Sequence, residues 1–127
     1  GARVLVPGGE VNPLSPDVMG EWALERLASV TVDTAFFGCD AVDPADGFYA
    51  ADTKAAAIAR LMLNQAARRV LLADASKFGR RSLCRIAGLD RVTDVVTCGG
   101  LHARHRRALE RLGVRVVEAP DLADGKP

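Results

Sequence analysis

The sequence predicts an α/β domain built on a mainly parallel sheet flanked by helices. Short β-rich runs alternate with helical patterns along the chain, the order that generates βαβ units. One run, Val70-Leu71-Leu72-Ala73, is apolar without interruption, as a central parallel strand covered on both faces should be. Small and polar residues directly follow the strand-like runs, where open parallel sheets bind ligands.

Arg3 to Val6 reads as the first strand, closed by Pro7-Gly8-Gly9. Ser15-Pro16-Asp17 then predicts a helix start. Serine caps, proline suits the first helical position, and aspartate complements the dipole. Ala23, Leu24, Leu27 and Ala28 form the apolar stripe of that helix. Val32 to Phe37 is the second strand, followed by Gly38-Cys39-Asp40 and a loop of turn formers, Asp43-Pro44-Ala45-Asp46-Gly47. Asp52 caps the next helix, whose buried face is Ala55, Ile58, Leu61, Met62 and Ala66, with Arg68 and Arg69 in its last turn. After Val70 to Ala73 come Asp74-Ala75-Ser76-Lys77, a short edge strand over Ser82 to Ile86, and a buried strand over Val92 to Thr97 ending in Cys98-Gly99-Gly100. Leu101 to Leu112 is an amphipathic helix stopped by Gly113, and Val114 to Val117 is the last strand. One domain over residues 3–118 is expected, with a flexible tail at 119–127. Because strand pattern begins almost at the first residue, the domain is expected to lack part of its N-terminal side.

A length of 127 residues suits one domain with its own core. The net charge of +1 points to neither nucleic acid nor a membrane surface. Cys39, Cys84 and Cys98 are odd in number and scattered, which argues against a disulfide scaffold or a zinc site and for a cytoplasmic setting. No apolar run approaches the ~18 residues of a membrane span.

The residues after the strands are the candidate ligand site: Gly8 and Gly9, Gly38 and Asp40, and Asp74, Ser76 and Lys77. Glycine admits close approach to the backbone, Lys77 supplies a cation, Ser76 a hydroxyl, and the two aspartates accept from sugar hydroxyls. This set suits a small, polar, anionic molecule. Plainer readings exist: Gly8-Gly9 as a turn, Asp74 as a cap, Lys77 as a solvated lysine, Phe78 as a plug at the domain edge. His102 and His105 are spaced to share a helix face but have no third ligand nearby. His105 also falls on the stripe of Leu101, Ala108 and Leu112, so a partly buried structural histidine is expected and no metal site. The chain contains no G-x-S-x-G, P-loop or G-x-G-x-x-G, so no catalytic residue and no cofactor is assigned. A sugar-phosphate isomerase-like enzyme stands as the alternative, and a bare oligomerisation module as a third possibility. An isomerase would need a carboxylate base beside a phosphate cradle.

Leu71 to Gly79, with its Asp74-Ala75-Ser76-Lys77-Phe78-Gly79, resembles the strand and D-x-S-K-F-G motif of DeoR-type transcriptional repressors. Asp33 to Gly38 is similar to that family's D-x-A-F-x-G strand, Asp46-Gly47 to its following turn, and Gly8-Gly9 to its early glycine pair. Arg60-Leu61-Met62 and Leu89 to Thr97 add to the likeness, which covers most of residues 3–118. The resemblance implies a C-terminal effector-sensing domain. Its fold would be similar to ribose-5-phosphate isomerase and CoA transferases. It would bind a phosphorylated sugar or related metabolite, form homo-oligomers, and reach DNA only through an N-terminal winged helix-turn-helix. That module and the family's glycine- and threonine-rich phosphate loop would both precede Gly1. The sequence departs from the family where glutamate and lysine often stand, at Ala55 and Ala59, and where the family's T-D strand ending is Thr97-Cys98.

Overall fold

The computed structural model describes residues 1–121. A hairpin of β1 (Glu10–Val11) and β2 (Val18–Met19) leads into α1 (Glu21–Leu27) and β3 (Val32–Phe37). A second hairpin, β4 (Ala41–Asp43) and β5 (Gly47–Ala50), precedes α2 (Thr53–Gln65) and β6 (Ala66–Leu72). Then come β7 (Cys84–Ala87), β8 (Asp94–Thr97), α3 (Ala103–Arg111) and β9 (Arg115–Glu118). The strands β3-β6-β8-β9 form an all-parallel sheet in that spatial order, and β4-β5-β7 form a small antiparallel one. The expected α/β class with a mainly parallel sheet is what the chain adopts.

Each step across the main sheet advances in one direction. Right-handed crossovers therefore put α2 and α3 on the same face. Ala35, Phe37, Leu71 and Val95 point into that face and share one core with Leu63 of α2 and Leu109 of α3. Their alternate neighbours point the other way: Phe36 is 61% exposed and Leu72 44%. The expectation that Val70 to Ala73 is covered on both faces is thus corrected. The run is apolar, but helices cover one side only among the described residues.

Local signals explain the helix ends. The Asp52 carboxylate accepts the Lys54 N–H at 3.0 Å, and consecutive alanines then favour helix. The buried stripe of α2 is Ala56, Ala59 and Leu63, one position on from the predicted face; Ala55, Ile58 and Met62 are half-buried beside it. His102 caps α3 through Nδ1, which accepts the Arg104 N–H at 3.1 Å. Gly113, at φ +80°, ends that helix, with its N–H on the Glu110 carbonyl and the Val114 N–H on the Leu109 carbonyl.

Three local expectations fail, each because pairing with another segment, or the lack of it, decides. Arg3 to Val6 forms no strand: its apolar side chains are exposed, and no neighbouring strand pairs with it. Ser15-Pro16-Asp17 opens no helix. The Ser15 hydroxyl donates to the Asp17 carboxylate, the Asn12 N–H donates to the Asp17 carbonyl, and the segment closes the β1–β2 hairpin. The helix begins only at Glu21. The turn formers Asp43 to Gly47 do turn the chain, at the β4–β5 hairpin, where the Asp46 N–H donates to the Asp43 carbonyl at 2.9 Å; a Cβ on Gly47 would collide with the Ala87 carbonyl of β7. Arg68 and Arg69 lie in β6 instead of the last turn of α2, because the ladder to β3 extends back to Ala66. The tail expected at 119–127 lies, from residue 122 onward, outside the described residues.

Asp94 is the charged side chain most deeply placed in the main sheet, 4% exposed. Arg68 of the neighbouring strand grips it with two bonds, Nε to Oδ1 at 3.0 Å and Nη2 to Oδ2 at 2.9 Å. The Arg68 bonds first, then the Thr93 hydroxyl, lower its pKa from 3.8 to about 2. The folded value lies below the unfolded one, so the stabilisation is complete above pH ~4 and is lost as pH falls through ~2. Asp94→Asn should therefore cost about 2–3 kcal/mol in urea denaturation at pH 7, the low end for a broken pair because Arg68 is half exposed. The gap to wild type should close as pH falls from ~4 to ~2; a gap independent of pH would refute the assignment.

Candidate functional site at the carboxyl edge of the sheet

Because β3, β6 and β8 are parallel neighbours, their following loops emerge side by side. Gly38-Cys39-Asp40, Asp74 to Lys77 and Cys98-Gly99-Gly100 therefore line one edge. The Ala75 N–H donates to the Cys98 carbonyl at 2.8 Å, tying the second loop to the third. The Gly79 N–H donates to the Val42 carbonyl at 2.8 Å, tying the same loop to β4. Phe78 is buried at this seam with its ring against His105, centroids 5.7 Å apart, so it plugs the domain edge. Burial first, then the nearby Arg104 and His102 charges, push the His105 pKa below 6.5. Half-buried and stacked on Phe78, His105 takes the structural place the sequence suggested. Among the described residues no three His, Cys, Asp or Glu side chains are grouped to hold a metal.

Both edge aspartates hold backbone. The Asp40 carboxylate accepts the Ala51 N–H at 2.7 Å through Oδ2, while its own N–H donates to the Tyr49 carbonyl at 2.8 Å, bracing the second hairpin against the end of β3. Asp74 Oδ1 accepts the Ser76 N–H at 2.9 Å and the Ser76 hydroxyl, capping a 3₁₀ turn over Ala75–Lys77. The Ser76 hydroxyl first, with Lys77 adding its charge, lowers the Asp74 pKa. Lys77 has no ion-pair partner among the described residues. Cys39 sits between these groups. Burial first, then Asp40, pushes its thiol up to about 12, against the opposing pull of Lys77. Such a thiol stays protonated and is a poor nucleophile.

A cavity of about 500 Å³ opens beside Gly38, Cys39 and Asp40. Its wall is completed by Asp17 of the first hairpin turn, by Ala55, Ile58, Ala59 and Met62 of α2, and by Ile86 of β7. Of the sequence candidates, the structure brings Gly38, Asp40, Asp74, Ser76 and Lys77 to one edge. Gly8 and Gly9 lie elsewhere, in a turn packed on the first hairpin and α1. A Cβ on Gly9, at φ +121°, would stand 2.7 Å from the Met19 carbonyl, and Arg26 donates to the Pro7 carbonyl beside Gly8 at 2.8 Å. Gly9 borders a larger concavity of about 670 Å³, which contains none of the strand ends of the parallel sheet and whose Lys54 is held by Glu10 at 2.7 Å. The cavity contribution of Asp17 was hidden by its helix-start pattern. That of Ile58 and Met62 was hidden by their apolar periodicity, which reads simply as core.

A family model described as the DeoR C terminal sensor domain matches residues 1–98. The HTH-type transcriptional regulator GlpR of Haloferax volcanii is 33% identical over 116 residues, covering 91% of this chain and 46% of that protein. A putative aga operon transcriptional repressor of Escherichia coli O157:H7 is 30% identical over 117 residues, covering 92% and 44%. The L-fucose operon activator of Escherichia coli K12 is 31% identical over 74 residues, covering 58% and 30%. The chain thus spans less than half the length of each of these relatives.

The two roles at the loop after β6 separate by mutation. Asp74→Ala should lower stability by about 1 kcal/mol without any ligand, the worth of a capping carboxylate. Lys77→Ala should change it by less than about 0.5 kcal/mol. Thermal melts of both variants check this; equal losses would mean that Lys77 also holds the fold.

Proposed function

The chain belongs to the DeoR C-terminal sensor domain family, and on that footing we propose that residues 3–118 bind a small phosphorylated metabolite, a sugar phosphate or a close relative. The occupied domain then controls DNA binding by a helix-turn-helix elsewhere in the regulator. The observation that supports this most is the convergence of Gly38, Asp40, Asp74, Ser76 and Lys77 on one sheet edge, with a ligand-sized cavity opening beside it. Lys77 is the phosphate ligand in this reading, because its ammonium is not committed to a carboxylate. Asp40 keeps one oxygen for a sugar hydroxyl after serving the Ala51 N–H. Gly38 leaves open space for an approaching ligand.

The domain senses and does not catalyse. Asp74 and Asp40 each hold a backbone N–H, which suits a binding site better than the proton transfer an isomerase carries out. Regulation requires only that the effector bind one conformation of the regulator more tightly than the other. The regulator acts as a homo-oligomer, matching symmetric half-sites on DNA.

In the full-length regulator, Lys77→Ala should weaken sugar-phosphate binding by about one to two decades, the worth of one charge-assisted hydrogen bond. Calorimetric titration measures this, and an unchanged affinity would remove Lys77 from the site. In a gel shift at low salt, residues 1–127 alone should leave operator DNA unretarded while the full-length protein shifts it; tight, sequence-specific binding by the 127-residue chain would overturn the division of labour.

A further inference from the structure

We propose that the cavity beside Asp40 selects effectors by charge, taking a carbon chain that is neutral or carries an ammonium group and rejecting one that ends in a carboxylate. The inference rests on the effector-binding reading above and concerns the end of the effector remote from its phosphate. Two carboxylates, Asp17 and Asp40, line this cavity, and no Lys, Arg or His does. Each has one oxygen already engaged, Asp17 by the Ser15 hydroxyl and Asp40 by the Ala51 N–H. The other oxygen of each accepts no hydrogen bond among the described residues. Both aspartates are exposed, so water serves their free oxygens, and a ligand that displaces this water replaces it best by donating. Hydroxyl and ammonium groups do so; a carboxylate cannot.

The rest of the wall strengthens this preference. Phe37, Ile58, Met62 and Ile86 are apolar and offer a ligand carboxylate no donor, so it would give up water there and meet the like charge of two aspartates. Ala55 and Ala59, on the α2 side, add neither a donor nor a charge. The cation that could offset a ligand carboxylate is Lys77, which is absent from the lining. Cys39 and Asp40 lie in the lining, in the loop that shares the sheet edge with Lys77. An effector whose phosphate meets Lys77 passes over Cys39 and enters the cavity with its opposite end. Rejection built from repelling groups is a common route to specificity among otherwise similar ligands.

Calorimetry of the full-length regulator tests this with a panel of hexose and pentose phosphates. Each is offered as the neutral sugar, the amino sugar and the sugar acid. Among the sugars that bind, the neutral or amino form should bind at least about tenfold tighter than the acid. In the double variant Asp17→Asn, Asp40→Asn, which keeps an acceptor for the Ala51 N–H, that difference should shrink to about threefold or less. Ala55→Lys, at a half-buried position of the same wall, should favour the acid form. An acid form bound as tightly as its neutral counterpart by the wild type, or discrimination untouched in the double variant, overturns the charge selection and leaves the phosphate-binding reading standing. Failure of every phosphate to bind overturns both.

Discussion

Parallel pairing of β3, β6, β8 and β9 constrains everything else in the molecule. Parallel neighbours cannot be joined by tight turns, so each step needs a crossover that returns the chain to the same end of the sheet. In this chain the crossovers are α2 with its preceding hairpin, the β7 segment, and α3. They advance in one direction and load their helices on one face, which concentrates the core around Leu71, Phe37 and Val95. They also deliver three strand ends to a common edge. The fold thereby brings together polar segments more than twenty residues apart, without those segments needing any affinity for one another.

What happens at that edge follows from how its polar groups are used. Its carboxylates are exposed, yet both bond backbone. Asp40 braces a hairpin and Asp74 caps a turn. These bonds hold the loops in place before any ligand arrives, which lowers the ordering cost of binding. They also leave Lys77 as a cation without a counter-charge of its own. Cys39, amid three charged groups, is kept protonated by burial above all, so the most conspicuous nucleophile at the site is chemically quiet.

Stability and recognition are placed on opposite ends of the same strands. The Arg68–Asp94 pair secures the amino-terminal part of the β6–β8 ladder, while the loops beyond Leu72 and Thr97 carry the site. In the proposed reading the loops respond to an effector while the ladder that aligns them holds.

Much of this was legible in the residues alone. The α/β alternation and the strand pattern of Val32 to Phe37 are readable before any partner is known. The cap at Asp52 and the glycine stop at Gly113 rest on interactions within a few positions. Local chemistry is enough to determine them. The motif from Asp74 to Gly79 likewise pointed to the family, because its turn is closed by its own side chains. The tertiary structure decided the rest. Arg3 to Val6 has strand propensity but no partner, and a strand exists only as half of a pair. Ser15-Pro16-Asp17 has the chemistry of a helix start, yet the hairpin between Glu10 and Met19 claimed it. Arg68 was assigned to a helix end, although its carboxylate partner lies 26 positions away. The cavity was invisible for the same reason: Asp17, Ile58 and Ile86 come from three elements, and only packing gives them a shared wall.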